Sequence, residues 1–306
     1  MTGLVVRDED ERGRHWADAM RGWLARSRSD RTRQTYLESW RVFLGWRCVA
    51  LWDVTPEIVS AWRDEQERQG RRPNTIKVRL AALSSFYRYA VKGGLCRDNP
   101  LDTVGFAQAE PYAEAKWLTA EDARRLLAAI DRGDTRGRRD YALLALMLAT
   151  GLRVDEARRL TLGAVHDAPQ GAFLRFTGKG GVETAMPLSA SLLAALRAML
   201  ADRPGARFDA PLFDRLRRDK RDGEPLTRAA IANIVHARCE AAGLPRLNVH
   251  ALRHTCGTLL YERHQDIDAV QNLMRHKHIE TTARYIHRVR DRRRAYVDEL
   301  SDILTG

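Results

Sequence analysis

The first hundred residues contain a regular series of helix-start and helix-stop signals, and this series constrains the fold more than any other feature. Ser29 or Asp30 can cap one helix, Thr55-Pro56-Glu57 begins another, and Gly93-Gly94 ends the last. Between these signals the apolar side chains recur at helical spacing. Four helices are therefore predicted, at residues 16–26, 31–46, 56–69 and 73–92. Together they predict a compact all-helical domain over residues 16–100.

The pattern changes along the rest of the chain and predicts a second domain of mixed structure. Alternating residues at 172–177 and 182–188, on either side of a glycine-rich turn, predict a β-hairpin. Further helices are predicted at residues 120–132, 138–150, 189–201, 228–242, 249–263, 266–274 and 280–287. The expected fold class is mainly α with a small β-sheet. The expected segments are a charged N-terminal arm at 1–15, the helical domain at 16–100, a linker at 101–116, a second domain at 117–290 and a tail helix at 291–306.

The chain is strongly basic. Its 306 residues carry 52 Lys and Arg against 40 Asp and Glu, a formal charge of +12, which points to a polyanionic partner such as nucleic acid. A composition of 44% hydrophobic and 30% charged residues excludes a disordered chain. No apolar run predicts a membrane span, and residues 1–14 lack the apolar core of a secretory signal, so a cytoplasmic location is expected. The four cysteines show no metal or disulfide spacing and are expected to be reduced thiols.

Six of the nine histidines lie between positions 250 and 287, which indicates a site late in the chain. One interpretation is a metal site, since His250 and His254 are one helical turn apart. Ala251, however, stands where a zinc protease needs a glutamate, and Arg253 would repel a cation. A second interpretation makes most of these histidines ordinary surface or core residues. A third places His250 in a phosphate site, for which no metal or cofactor is expected.

The phosphate interpretation draws its cations from separate segments of the chain. Arg153, Lys179, His250 and Arg253 would surround one phosphodiester. A phosphoryl-transfer site without a metal must neutralise the charge of its transition state with such side chains. Tyr285, just after the histidine-rich stretch, supplies a nucleophile.

Four motifs in this order resemble those of the tyrosine recombinases, the phage-integrase-type site-specific recombinases of which the Xer proteins are compact members. They are Ala149-Thr150-Gly151-Leu152-Arg153-Val154-Asp155-Glu156, Thr177-Gly178-Lys179-Gly180-Gly181, His250-Ala251-Leu252-Arg253-His254-Thr255, and the segment from Leu273 to Tyr285. The resemblance covers about residues 16–290. Arg275 departs from it, because the family usually has glycine there. Arginine would be strained if this position needs a positive φ.

The resemblance implies that three motif residues bind the scissile phosphate. Arg153 and Arg253 would contact its non-bridging oxygens through their guanidinium forks, and His250 would donate a hydrogen bond to it and assist proton transfer. Glu156 would orient its neighbours or, alternatively, only cap its helix.

The resemblance also implies how the strand is cut and rejoined. Tyr285 would attack the phosphorus and form a 3′-phosphotyrosyl link, so that neither a metal nor ATP is needed for resealing. Lys179 would protonate the leaving 5′ oxygen. His276 would bond a non-bridging oxygen or support the tyrosine.

A SAM-like core-binding domain followed by an α+β catalytic domain is implied as well, with double-stranded DNA bearing inverted repeats as the partner. The chain would be a monomer when free and a homotetramer on two duplexes, serving integration, excision or dimer resolution. The tail would dock on a neighbouring protomer or pack against its own chain.

A type IB topoisomerase-like enzyme and a non-catalytic DNA-binding module remain alternatives. Candidate phosphate contacts in the helical domain are Arg31, Arg33, Arg72, Lys77, Arg79 and Arg88.

Overall fold

The computed structural model describes residues 11–27, 29–105, 117–169, 171–178, 181–217 and 220–275. The chain divides into two compact units, residues 1–113 and residues 114–306. Among the helices in the described ranges, none has both the length and the apolar character needed to cross a membrane.

The first unit is built from helices whose ends match the capping signals in the sequence. The side chain of Ser29 accepts a hydrogen bond from the Thr32 amide, and that of Thr55 accepts one from the Ile58 amide. All four predicted helices are confirmed. They are α1 (Glu11–Ala25), α2 (Asp30–Trp46), α3 (Pro56–Arg68) and α4 (Pro73–Lys92).

Both ends of this unit differ from the expected boundaries. The described part of helix α1 includes Glu11 to His15, which were expected to belong to the arm, and the charged side chains of Glu11, Arg12 and Arg14 there are exposed. At the other end, Leu101 and Val104 are buried in the core, although both belong to the expected linker. The side chain of Asn99 fixes this segment by donating to Ser84 Oγ (3.0 Å) and to Asp102 Oδ1 (2.6 Å).

An aromatic cluster forms the core of the first unit. The Trp40 and Phe86 rings meet edge to face with centroids 5.2 Å apart, and the Phe43 and Trp62 rings do so at 4.9 Å. Each such pair contributes about 1 kcal/mol beyond the area that it buries. The Tyr87 hydroxyl is buried with them and donates to the Leu51 carbonyl (2.7 Å). The unit therefore has a hydrophobic core of its own.

The second unit combines helices with two small antiparallel sheets. One sheet has the strand order β1-β2-β3, with Leu174 opposite Met186, and the other pairs β4 with β5. The elements are α5 (Ala120–Ala128), α6 (Thr135–Thr150), α7 (Val154–Arg158), β1 (Val165–His166), β2 (Phe173–Thr177), β3 (Glu183–Pro187), α8 (Ala190–Leu200), β4 (Asp214–Arg217), β5 (Lys220–Pro225), α9 (Arg228–Ala241), α10 (Val249–His264) and α11 (Ile267–Met274).

The predicted fold class, mainly α with a small sheet, is confirmed, and so is the β2–β3 hairpin. The second hairpin, β4–β5, was not predicted. Its strands have the sequences DRLR and KRDGEP, and such charged segments lack the apolar alternation that identifies a strand. The helix predicted at 280–287 and the tail helix at 291–306 lie outside the described residues.

Helix α6 is the centre of the second unit. Leu143, Leu144 and Leu146 on this helix are fully buried, as expected for its C-terminal half, which is apolar on all sides. Its N-terminus leaves no room for a side chain at Gly137, where a Cβ would lie 1.6 Å from the Asp131 carbonyl oxygen. The N-terminal end of the helix is therefore closely packed against the preceding loop. Its C-terminal end leads directly into the first recombinase-like motif.

We expect Gly137→Ala to lower the free energy of unfolding of the second unit by about 3 kcal/mol, because a backbone carbonyl cannot move away cheaply. Gly45→Ala is the matched control, since a Cβ at Gly45 in α2 meets nothing within 4 Å. That control should raise stability by about 0.5–1 kcal/mol. Thermal denaturation measures the change in stability of each variant relative to the wild type. Equal changes for Gly137→Ala and Gly45→Ala would contradict the packing described for α6.

Candidate active site

A glycine at the end of α6 shapes the segment that carries Arg153. Gly151 caps the helix in the left-handed conformation, with φ 60°. A Cβ there would lie 2.6 Å from Met274 Sδ, so that both backbone and packing require glycine. The chain then turns back through the buried Leu152 and begins α7 directly after Arg153.

Glu156 holds Arg153 by its backbone and its side chain together. One carboxylate oxygen accepts from the Arg153 amide (2.9 Å), and the other accepts from Arg153 Nη1 (2.8 Å). Glu156 is only 3% exposed. The two roles expected for it, capping the helix and orienting the arginine, are therefore performed by the same pair of oxygens.

The charge of Glu156 is maintained by these contacts. Burial by itself raises the pKa of this carboxyl, but the hydrogen bonds from Arg153 and the charges of Arg275 and Arg153 outweigh burial. The pKa is thus held below its ordinary value, and the group is an anion at neutral pH.

Arg253 is the buried centre of the site. It lies on α10, is 7% exposed, and donates through Nη1 to the Gly151 carbonyl and through Nη2 to the Met274 carbonyl. These carbonyls lie at the C-terminal ends of α6 and α11. One guanidinium therefore ties together three helices of the second unit and fixes its own orientation.

His250 lies in the first turn of α10, which Asn248 caps by accepting from the Ala251 amide (2.9 Å). The residue is reached by solvent, but the protein packed around the ring and the charges of Arg253 and Arg153 lower its pKa. The ring is therefore neutral at pH 7.

Within the described ranges, no group of three or more His, Cys, Asp and Glu side chains could hold a metal ion.

Arg275 shows the strain that its sequence context predicted. It ends α11 in the left-handed conformation, with φ 52° and ψ 48°. Its side chain reaches back to Glu156, where Nη2 lies 2.9 Å from the Oε2 atom that also accepts from the Arg153 amide. The guanidinium lies 5.1 Å from the centroid of the Phe176 ring on β2. This cluster was not predicted, because 119 residues separate Arg275 from Glu156 and no local pattern links them.

Glu156 thus joins Arg153 and Arg275 through hydrogen bonds, while Arg253 bonds the backbone carbonyls of Gly151 and Met274 close to them in the chain. The charges of Arg253 and Arg153 act on His250. The other predicted catalytic residues, Lys179, His276 and Tyr285, lie outside the described residues.

The basic residues predicted to contact DNA from the first unit occupy different environments. Arg31 and Arg79 line one groove between α2 and α4. Arg88 lines a second groove, which it shares with Arg26 and Lys92, two basic residues that were not predicted. The others are Arg33, which pairs with Asp30, and the exposed Arg72 and Lys77.

Helix α4 supplies half of this positive charge. Its 20 residues include Lys77, Arg79, Arg88 and Lys92 and no acidic residue. Lys77 and Arg88 are about three turns apart on the same side of the helix. Arg79 lies on another side, where its Nη1 donates to Gln66 (2.7 Å).

Comparisons with known proteins agree with this architecture. Residues 116–292 match the phage integrase family, and residues 23–94 match the phage integrase N-terminal SAM-like domain. A tyrosine recombinase XerD of Caulobacter vibrioides is 33% identical over 289 residues, 90% of this chain and 92% of that protein. A tyrosine recombinase of Synechococcus elongatus is 31% identical over 284 residues, 88% of each chain.

A solved structure shares the fold. The XerH site-specific recombinase, bound to a palindromic difH substrate in a post-cleavage complex, aligns with a TM-score of 0.72 at 22% identity and covers 90% of this chain and 80% of that one. The match of residues 116–292 to the family and the relatives of 31–33% identity show that the chain belongs to the phage integrase family and is a tyrosine site-specific recombinase.

Proposed function

We propose that the chain cuts and rejoins DNA at a specific site through a 3′-phosphotyrosyl intermediate, using side-chain cations where other phosphoryl-transfer enzymes use a metal. The observation that carries this proposal is the fixed pair of arginines. Glu156 orients Arg153, and two backbone carbonyls orient Arg253, within the same corner of the second unit. Pre-oriented guanidinium groups are suited to the oxygens of a phosphodiester.

In the first step, the oxygen of Tyr285 attacks the scissile phosphorus and the bond to the 5′ oxygen breaks. Arg153 and Arg253 stabilise the charge that develops on the non-bridging oxygens. Lys179 gives a proton to the leaving 5′ oxygen, and the neutral ring of His250 assists the transfer of the tyrosine proton. A free tyrosine has a pKa of about 10, so that nearby cations are needed to favour its phenolate.

In the second step, a 5′-hydroxyl from another strand attacks the phosphotyrosyl link and releases Tyr285. The phosphodiester energy is kept in the covalent link, and neither ATP nor a metal is consumed. Exchange between two duplexes requires four active sites, so we propose a homotetramer on DNA. The tail at 291–306 would then join neighbouring protomers.

DNA binding by the first unit is part of the same proposal. The exposed Lys77 and Arg88 on the acid-free helix α4 lie on the same side and about 16 Å apart along its axis. They are therefore placed to contact two separate phosphates of the DNA backbone. Inverted repeats would present the same phosphate pattern to each protomer.

The nucleophile is tested by Tyr285→Phe. We expect this variant to bind the target duplex and to form no covalent protein–DNA adduct, because phenylalanine has no oxygen to attack phosphorus. The assay is adduct formation on a labelled site carrying a nick, in EDTA and without ATP. Tyr261→Phe, which removes a hydroxyl from α10, is the matched control and should form adduct at the wild-type rate.

An adduct formed by Tyr285→Phe would identify a different nucleophile. An intact wild-type protein that binds the site without forming an adduct would favour a DNA-binding module instead.

The pH dependence of cleavage tests the role of His250. Since the pKa of His250 lies below the ordinary 6.5 and proton transfer uses the neutral ring, the rate should be level near pH 7–8 and fall on acidification below about pH 6.5. His250→Gln should cleave more slowly and should lack this acid limb. Single-turnover rates at saturating DNA measure both profiles. An identical acid limb in the variant would assign that titration to another group.

The salt dependence of binding tests the contacts from α4. We expect Lys77→Ala and Arg88→Ala each to weaken binding and to reduce the slope of log K against log salt by about 1, because each loses one phosphate contact. Arg68→Ala removes an exposed arginine that pairs with Glu65 on α3 and is the control of equal charge. Equal slopes for all three variants would show that these two residues do not contact phosphate.

A further inference from the structure

We propose that Arg275 is a positioning residue, which couples the end of α11 to the Arg153 segment through Glu156 and thereby holds Arg153 in the orientation needed for cleavage. This inference rests on the function proposed above. It concerns a residue that contacts neither of the reacting oxygens in that mechanism and that acts through its neighbours.

The backbone of Arg275 is held in a conformation that arginine does not favour. In the described ranges, positive φ occurs at only two residues other than glycine, Gln265 and Arg275, both with φ 52°. A glycine would take this conformation without strain. The side chain also carries a cost, because Arg275 Nε is buried and has no hydrogen-bond partner among the described residues. The backbone conformation and the buried Nε therefore both disfavour an arginine at this position.

The contacts of the side chain explain what it does. Its Nη1 donates to the Leu273 carbonyl (3.1 Å), and its Nη2 donates to Glu156 Oε2 (2.9 Å). Glu156 is buried, and the side chain of Arg275 is only 16% exposed. An ion pair in such surroundings holds its geometry much better than a surface pair.

Three segments meet at this guanidinium. Glu156 belongs to α7 and also holds Arg153, while Phe176 belongs to β2, whose last residue is two positions before Lys179 in the sequence. Arg275 itself precedes His276. One side chain thus links the segments that carry the proposed cations, and a small displacement of such groups lowers the rate of phosphoryl transfer much more than it lowers affinity.

The test compares Arg275→Gly with Gln265→Gly. Both replace a left-handed residue at the end of a helix with glycine, which relieves backbone strain. Gln265→Gly should therefore keep or raise the melting temperature, whereas Arg275→Gly also removes the ion pair with Glu156 and should lower it. We expect Arg275→Gly to bind the DNA site within about twofold of the wild type and to form the covalent adduct at least about tenfold more slowly at saturating DNA. Gln265→Gly should form it at the wild-type rate, and Arg275→Lys should recover part of the loss.

A double-mutant cycle with Glu156→Gln tests the coupling itself. If Arg275 acts through Glu156, Arg275→Gly should slow cleavage much less in the Glu156→Gln background than in the wild type. Equal slowing in both backgrounds would overturn the coupling, and wild-type cleavage by Arg275→Gly would overturn the positioning role.

These outcomes differ from a failure of the proposed function, in which the wild type forms no adduct. In that case the same cycle, measured by thermal unfolding without DNA, still decides whether the two side chains are coupled. Additive effects on the melting temperature would overturn the pairing.

Discussion

The site depends on a single buried guanidinium that joins the ends of two helices. The last carbonyls of a helix have no partner within the helix and carry partial negative charge, so a cation placed there is stabilised. Arg253 satisfies the Gly151 carbonyl at the end of α6 and the Met274 carbonyl at the end of α11 simultaneously. Arg153 follows the first of these carbonyls by two residues, and Arg275 follows the second directly. Arg253 therefore fixes the two helix ends, and Glu156 then holds the side chains of Arg153 and Arg275 that follow them.

The electrostatics of the site favour an anion. Arg153 and Arg275 share the one carboxylate of Glu156, which remains ionised because their charges outweigh its burial. The same positive surroundings add to desolvation in keeping His250 neutral. A bound phosphodiester would relieve the repulsion among these cations, whereas a divalent metal ion would increase it. The arrangement suits the proposed mechanism, in which side chains stabilise the phosphoryl transition state.

Local signals in the sequence predicted much of the fold. Ser29, Thr55 and Gly93 marked helix ends, and the alternation of β2 and β3 marked a hairpin, because each of these features depends on neighbours in the chain. The strands of β4–β5 are charged and short, and they are stabilised by pairing with each other, so no apolar pattern revealed them.

The site was predictable only in part. The motif order located Arg153 and Arg253, and the unusual residue at 275 correctly indicated a position at risk of strain. The partners could not be read from spacing, because the bonds from Arg253 to Gly151 and from Arg275 to Glu156 span 102 and 119 residues. Such contacts exist only once the helices have packed.

The most direct measurement is a crystal structure of the protein on a duplex with its inverted repeats, in which vanadate occupies the scissile position as a mimic of the transition state. We expect Arg153 and Arg253 to contact the equatorial oxygens of the vanadate, Tyr285 to occupy an apical position, and Arg275 to remain bonded to Glu156. A vanadate held by other side chains, with Arg253 contacting only the two backbone carbonyls, would contradict the catalytic arrangement described here.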